Sequence, residues 1–131
     1  MMPAAAIAPT EAQRRASHLR WHRGCFACGE GAGLGLRFQV TPDGGVATEW
    51  DCPEAWRSYP GVLHGGIIAT LLDCAMVHAL FAHGLAGRTA ELSLRYRRPV
   101  QTGGNVCVTA RLTERFGPLC ALVGEVRQTG A

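Results

Sequence analysis

Lysine is absent from this chain of 131 residues: all 13 of its cations are arginines, set against 10 acidic residues for a formal net charge of +3. So mild a basic excess suits an anionic small molecule as well as nucleic acid and decides between neither. A single stripe of basic residues interleaved with aromatics is missing too, so no nucleic-acid partner is expected. No basic segment precedes the apolar residues of MMPAAAIAPTEAQ, and that stretch is too short for a secretory signal. The longest apolar run, residues 67–82, is broken by Asp73 and His78. It falls short of the ~20 residues of a membrane span, so no membrane partner is expected. Without a secretory signal, the cysteines at 25, 28, 52, 74, 107 and 120 read as reduced thiols or metal ligands, not as a disulfide framework. A cytoplasmic protein is the expectation. There is no internal repeat, and only the Ala/Pro-rich residues 1–10 are compositionally biased; they are expected to be a disordered tail.

What is present is a folding composition, 47% hydrophobic and 18% charged, in one domain over residues 11–131. Thr10 is placed to cap a short helix, EAQRRASHLRWHR, that ends at Gly24. The glycine-rich CFACGEGAGLG must then be a loop, so residues 11–33 are a short helix plus a Cys-x-x-Cys loop. LGLRFQV alternates apolar and polar residues as a strand does, TPDGG is a turn, and VATEW is a second strand. Residues 51–63 form an irregular connection. From His64 to about His83 the apolar spacing is helical, with residues 67, 68, 71, 72, 75, 76, 79 and 80 on one broad stripe, and Gly84 stops it. RTAELSLRYRRPV, NVCVTARLTER and LCALVGEVRQ follow as three antiparallel strands. The expected class is α+β, an antiparallel sheet curled around one central helix.

His64-Gly65-Gly66 opens that helix. The first turn of a helix has unpaired N–H groups and a partial positive charge. Two glycines there leave room for a ligand oxygen to approach the amides, as an oxyanion hole requires. Close helix packing is the other reading of the glycines. Asp73 lies nine residues after His64, too far along one helix to serve a carbonyl held at the glycines unless the substrate extends along the helix. A dimer, with the Asp of one subunit facing the glycines of the other, removes that difficulty. Asp73 also admits a purely structural reading, as a carboxylate accepting hydrogen bonds in the core.

YPGVLHGGIIATLLDCAM followed by TAELSLRYRRPVQTG resembles the hotdog-fold acyl-CoA thioesterases, in particular the phenylacetate-pathway (PaaI-like) group. The resemblance runs from CFACG onward. It implies a hotdog fold, a homodimer or a dimer of such dimers, an acyl-CoA substrate and no cofactor for catalysis. It also implies a helix-start amide on Gly66 or Gly65, assisted by His64, that polarises the thioester carbonyl. Asp73 of the partner subunit would act as base or nucleophile, and Thr89 would help hold the attacking water. Ser58 stands where some relatives carry an asparagine that orients the thioester. Arg97 and Arg98 would hold CoA phosphates, unless they merely face solvent. The chain stops at EVRQTGA where many relatives run on into another strand, so the sheet is expected to be a strand short or the chain cut there. A non-catalytic acyl-CoA or acyl-carrier-protein sensor is the alternative function.

His18 and His22 share a helix face, and Cys25 and Cys28 follow directly. Two nitrogens and two thiolates are what a tetrahedral structural Zn²⁺ takes. The same stretch also reads as simple buried small residues, or as a redox dithiol, although no βαβ pattern surrounds it. Cys74 has no evident base partner and is read as a buried residue rather than a nucleophile. His78 and His83 are assigned no chemistry, and Trp21, Trp50 and Trp56 read as packing residues, with the lining of an acyl pocket as the alternative for Trp56.

Overall fold

The computed structural model describes residues 2–3, 8–31 and 33–128. Its elements are β1 (Met2–Pro3), α1 (Glu11–Trp21), β2 (Gln39–Val40), β3 (Val46–Asp51), a 3₁₀ turn (Glu54–Trp56), α2 (Gly65–Ala82), β4 (Asn105–Phe116) and β5 (Leu119–Gln128). The sheet is antiparallel throughout, and α2 packs across it. The expected α+β arrangement is present.

The Thr10 hydroxyl caps α1 by accepting from the Gln13 N–H at 3.1 Å. Glu11, in the first turn, accepts from the Arg14 Nε at 2.8 Å through one carboxylate oxygen. Its other oxygen accepts from the Val40 N–H at 2.8 Å, so a single side chain joins α1 to β2. Arg14 is itself buried, and its guanidinium is paired both with Glu11 and with the His78 ring. A charge at that depth requires such partners.

The 18 residues of α2 span about 27 Å. Leu71, Ala75, Ala79 and Ala82 are sealed against the sheet and α1. Small residues at 75, 79 and 82 let α1 come close, and the Thr10 N–H donates to the Ala82 carbonyl at 2.8 Å. By length and composition α2 would pass for a membrane span, but most of it is buried inside the protein. β4 alternates as a one-sided strand should, with Val106, Val108, Ala110 and Leu112 inward. Trp50 on β3 pairs with Val106, and its indole N–H donates to the Leu34 carbonyl at 2.7 Å.

Three expectations need correction or limits. RTAELSLRYRRPV lies in no sheet among the described residues: residues 88–99 make no ladder bonds there, and β5, the last described strand, pairs with β4. LGLRFQV buries Leu34, Leu36 and Phe38 in the predicted alternation, yet only Gln39–Val40 joins a sheet. The N–H groups of Leu34 and Leu36 go instead to the carbonyls of Phe26 and Ala27, both in the cysteine loop. Within the expected disordered tail, Met2–Pro3 pairs with Arg115 and Glu114 of β4. Met1 and residues 4–7 lie outside the described residues.

Candidate active site at the central helix

The irregular connection before α2 is a compact loop. The Arg57–Leu63 and Val62–Gln101 bridges close it, and the His64 N–H donates to the Trp56 carbonyl at 2.9 Å. Glu54 clamps the same loop, accepting from the Gly61 N–H at 3.2 Å and from the Thr102 hydroxyl. The Thr102 and Gly61 hydrogen bonds hold the Glu54 carboxyl below its ordinary value. Ser58 sits on this loop, exposed, with its N–H bonded to the Val62 carbonyl. Its hydroxyl makes no hydrogen bond among the described residues.

His64 is the cap of α2. Its Nδ1 accepts from the Gly66 N–H at 2.8 Å, which places the proton of the neutral imidazole on Nε2. The Gly66 amide is therefore engaged, whereas the Gly65 amide has no acceptor among the described residues. Of the two glycines named from the sequence, Gly65 thus keeps its donor free. The helix start is open: His64 and Gly66 are exposed and Gly65 is half-buried. A Cβ on Gly66 would lie 3.0 Å from the His64 Nδ1, so the cap depends on the glycine. Sequence reasoning missed Tyr96, whose hydroxyl donates to the Gly65 carbonyl at 2.9 Å while its ring lies over Gly65. Strand-like alternation made it look like one more packing aromatic.

Asp73 is half-buried, on the open side of α2, and accepts a hydrogen bond from the Thr89 hydroxyl. The apolar run therefore does not bury an unpaired charge. Two residues selected as a catalytic pair are in direct contact. Gly65 and Asp73 are eight residues apart on one helix, about 12 Å along its axis. A single thioester carbonyl cannot reach both in one chain. Arg97 and Arg98 are exposed on the unpaired segment, with no side-chain partner among the described residues.

The four zinc candidates divide into two overlapping groups. His22, Cys25 and Cys28 bring their ligand atoms within 4.8 Å of one another, and His18 meets Cys28 together with His78. Cys74 and His78 also lie beside Cys28; these neighbours, with the His22 hydrogen bond at 3.5 Å, hold the Cys28 thiol well below its usual value. Cys74 is shifted the opposite way by the same neighbour and by burial, consistent with its exclusion as a nucleophile. Burial lowers His78. The enclosure of this cluster by α1, the cysteine loop and α2 was not legible from spacing alone.

A central helix wrapped by an antiparallel sheet, with an open glycine start and a carboxylate at its middle, defines a hotdog-fold protein. The sequence profile of the thioesterase superfamily matches residues 60–130, and the chain belongs to that superfamily. Over 74 residues it is 30% identical to acyl-coenzyme A thioesterase 13 of Homo sapiens, an alignment covering 55% of this chain and 53% of that protein. The chain thus spans about half the length of the curated relatives it matches. Among solved structures, a phenylacetic acid degradation-related protein of Ralstonia eutropha JMP134 superposes with a TM-score of 0.65 at 27% identity, over 75% of this chain and 77% of that one. The E. coli PaaI protein, from the phenylacetic acid degradation operon, has the same fold. Its TM-score is 0.74 at 18% identity, over 91% of this chain and 87% of its own.

Proposed function

We propose that the protein hydrolyses an acyl-CoA thioester to the free acid and CoA, at a site completed by two copies of the chain. The observation that carries this is the Thr89-held Asp73 carboxylate on the open face of α2, beyond reach of the glycine start of its own helix. The thioester carbonyl oxygen accepts from the free Gly65 N–H, with the His64 Nε2–H as a second donor. Asp73 of the partner subunit takes a proton from water as the water oxygen attacks the carbonyl carbon. The tetrahedral oxyanion then collapses, the C–S bond breaks, and the sulfur leaves with the proton that Asp73 had accepted. Direct attack by the carboxylate, followed by hydrolysis of the resulting anhydride, uses the same residue at the same place. The exposed guanidinium groups of Arg97 and Arg98 suit the CoA phosphates. A homodimer, or a dimer of dimers, is part of this reading.

The test is hydrolysis of a panel of aryl- and fatty-acyl-CoA esters by wild type and Asp73→Asn. Turnover that falls at least about 100-fold in the variant, with ester binding retained, supports the mechanism. Wild type that binds CoA esters without turning any over would overturn it in favour of a sensor.

A further inference from the structure

We propose that the amino-terminal module holds one structural zinc ion, ligated by Cys25, Cys28 and His22, with His18 closing the tetrahedron through Nδ1 and His78 acting as an outer N–H donor to the Cys28 sulfur. The proposal is independent of the thioesterase reading, because its ligands come from α1 and the cysteine loop and none of them is used in the proposed hydrolysis.

The first support is distance. Zn–S and Zn–N bonds of about 2.3 and 2.0 Å at tetrahedral angles set the ligand atoms about 3.5 Å apart. The His22 Nδ1 stands 3.5 Å from the Cys28 sulfur, and Cys25 joins the same group.

The backbone between the cysteines is shaped to hold both sulfurs together. The Ala27 N–H donates to the Cys25 sulfur at 3.4 Å, and the Gly29 N–H donates to the Cys25 carbonyl at 2.6 Å. A Cβ on Gly29 would lie 2.5 Å from the backbone N and O of Cys25, so the turn excludes any other residue. An amide aimed at a sulfur favours a thiolate, the form that binds metal.

Proton positions separate the two remaining histidines. The His18 Nε2 is 2.8 Å from the Cys28 carbonyl, which can only accept. The proton is therefore on Nε2, and Nδ1 keeps its lone pair. Metal-binding histidines are commonly fixed in this way, with the second nitrogen donating to a carbonyl. His78 is the reverse case. Its Nδ1 is 3.2 Å from the Arg14 guanidinium, which can only donate. The proton of His78 is then on Nε2, which cannot ligate a metal. That Nε2 is fully buried and has no hydrogen-bond partner among the described residues. A zinc-bound Cys28 thiolate beside it would supply an acceptor for this otherwise orphaned donor.

The experiment uses the full chain without an affinity tag, thiols reduced, loaded with Zn²⁺ or Co²⁺ alone. One metal per chain is expected, with the visible bands of tetrahedral Co²⁺ and thiolate charge transfer from two sulfurs. Cys25→Ser and His18→Gln, checked by circular dichroism for an intact fold, should lose the tetrahedral spectrum. His78→Gln should keep it, with a shifted charge-transfer band and affinity about 10–100-fold weaker. Reduced wild type that takes up no stoichiometric metal overturns the site. So does a spectrum unchanged in Cys25→Ser, or one abolished by His78→Gln but not by His18→Gln.

Discussion

The Thr89 hydroxyl donates a hydrogen bond to the Asp73 carboxylate, joining the segment that follows the central helix to the middle of that helix. The contact fixes one carboxylate oxygen and leaves the other to face solvent or substrate. On the proposed mechanism Thr89 is a positioning residue. Thr89→Val, close in shape but without the hydroxyl, should lower kcat about tenfold at nearly constant KM, the loss of about one hydrogen bond to a charged group. Thr89→Ser should restore most of the rate. Equal kinetics in the valine and serine variants would remove the role.

Gly65 and Gly66 are expected to respond differently to alanine. At Gly66 a Cβ meets the His64 ring at 3.0–3.1 Å, so Gly66→Ala should displace the cap and cost about 1 kcal/mol of stability, read as a lower Tm. At Gly65 the nearest atom is the Tyr96 ring at 3.5 Å, an ordinary contact. Gly65→Ala should keep its Tm and lose activity, because the new methyl group crowds the free amide. Calorimetry and kinetics on the two variants check the contrast.

Glu11 supplies a pH dependence of stability. Burial pushes its carboxyl up, but the Arg14 hydrogen bond and charge, the Val40 amide and Arg15 outweigh it and hold the group below its ordinary 4.5. A carboxylate depressed on folding stabilises fully above its unfolded value, and the gain is lost as pH falls through the folded one. Glu11→Gln should therefore lower stability at pH 7, by about 1 kcal/mol given the part exposure of the group. The gap to wild type should narrow as pH drops below about 4.5. Denaturant melts from pH 7 down to about pH 3 measure it.

Arg97→Ala combined with Arg98→Ala should raise KM for CoA esters by about tenfold or more and leave kcat unchanged. Thioesters of pantetheine, which lack the nucleotide phosphates, should show no such change. A KM effect equal in both substrate series would assign these arginines to something other than phosphate.

The sequence was most informative where structure is local. Thr10 caps α1, His64 opens α2, and Gly84 follows its end, each a matter of neighbours within a turn. Asp73 and Thr89 were singled out from their place in a family pattern, and the structure brings the two side chains into contact. Residues 88–99 read as a strand with equal clarity, yet join no ladder among the described residues, because ladder partners are supplied from elsewhere in space. The bond from Tyr96 to Gly65 crosses 31 positions and leaves no periodic trace. The same is true of the Arg14–His78 contact, which sets a tautomer that spacing cannot encode. Leu34 and Leu36 kept their predicted alternation but found the cysteine loop as their backbone partner.

The two ends of α2 differ in how tightly they are held. At the carboxyl end, Ala82 accepts from Thr10, His78 is engaged by Arg14, and the Phe81 ring meets His22 edge-on. At the amino end His64 and Gly66 stand exposed, and Gly65 is half-buried beneath the Tyr96 ring. About 27 Å of rigid helix lies between them. Anchoring and exposure are therefore separate inheritances: substitutions around the glycine start can change what that open end meets without loosening the clamp that keeps the helix in place.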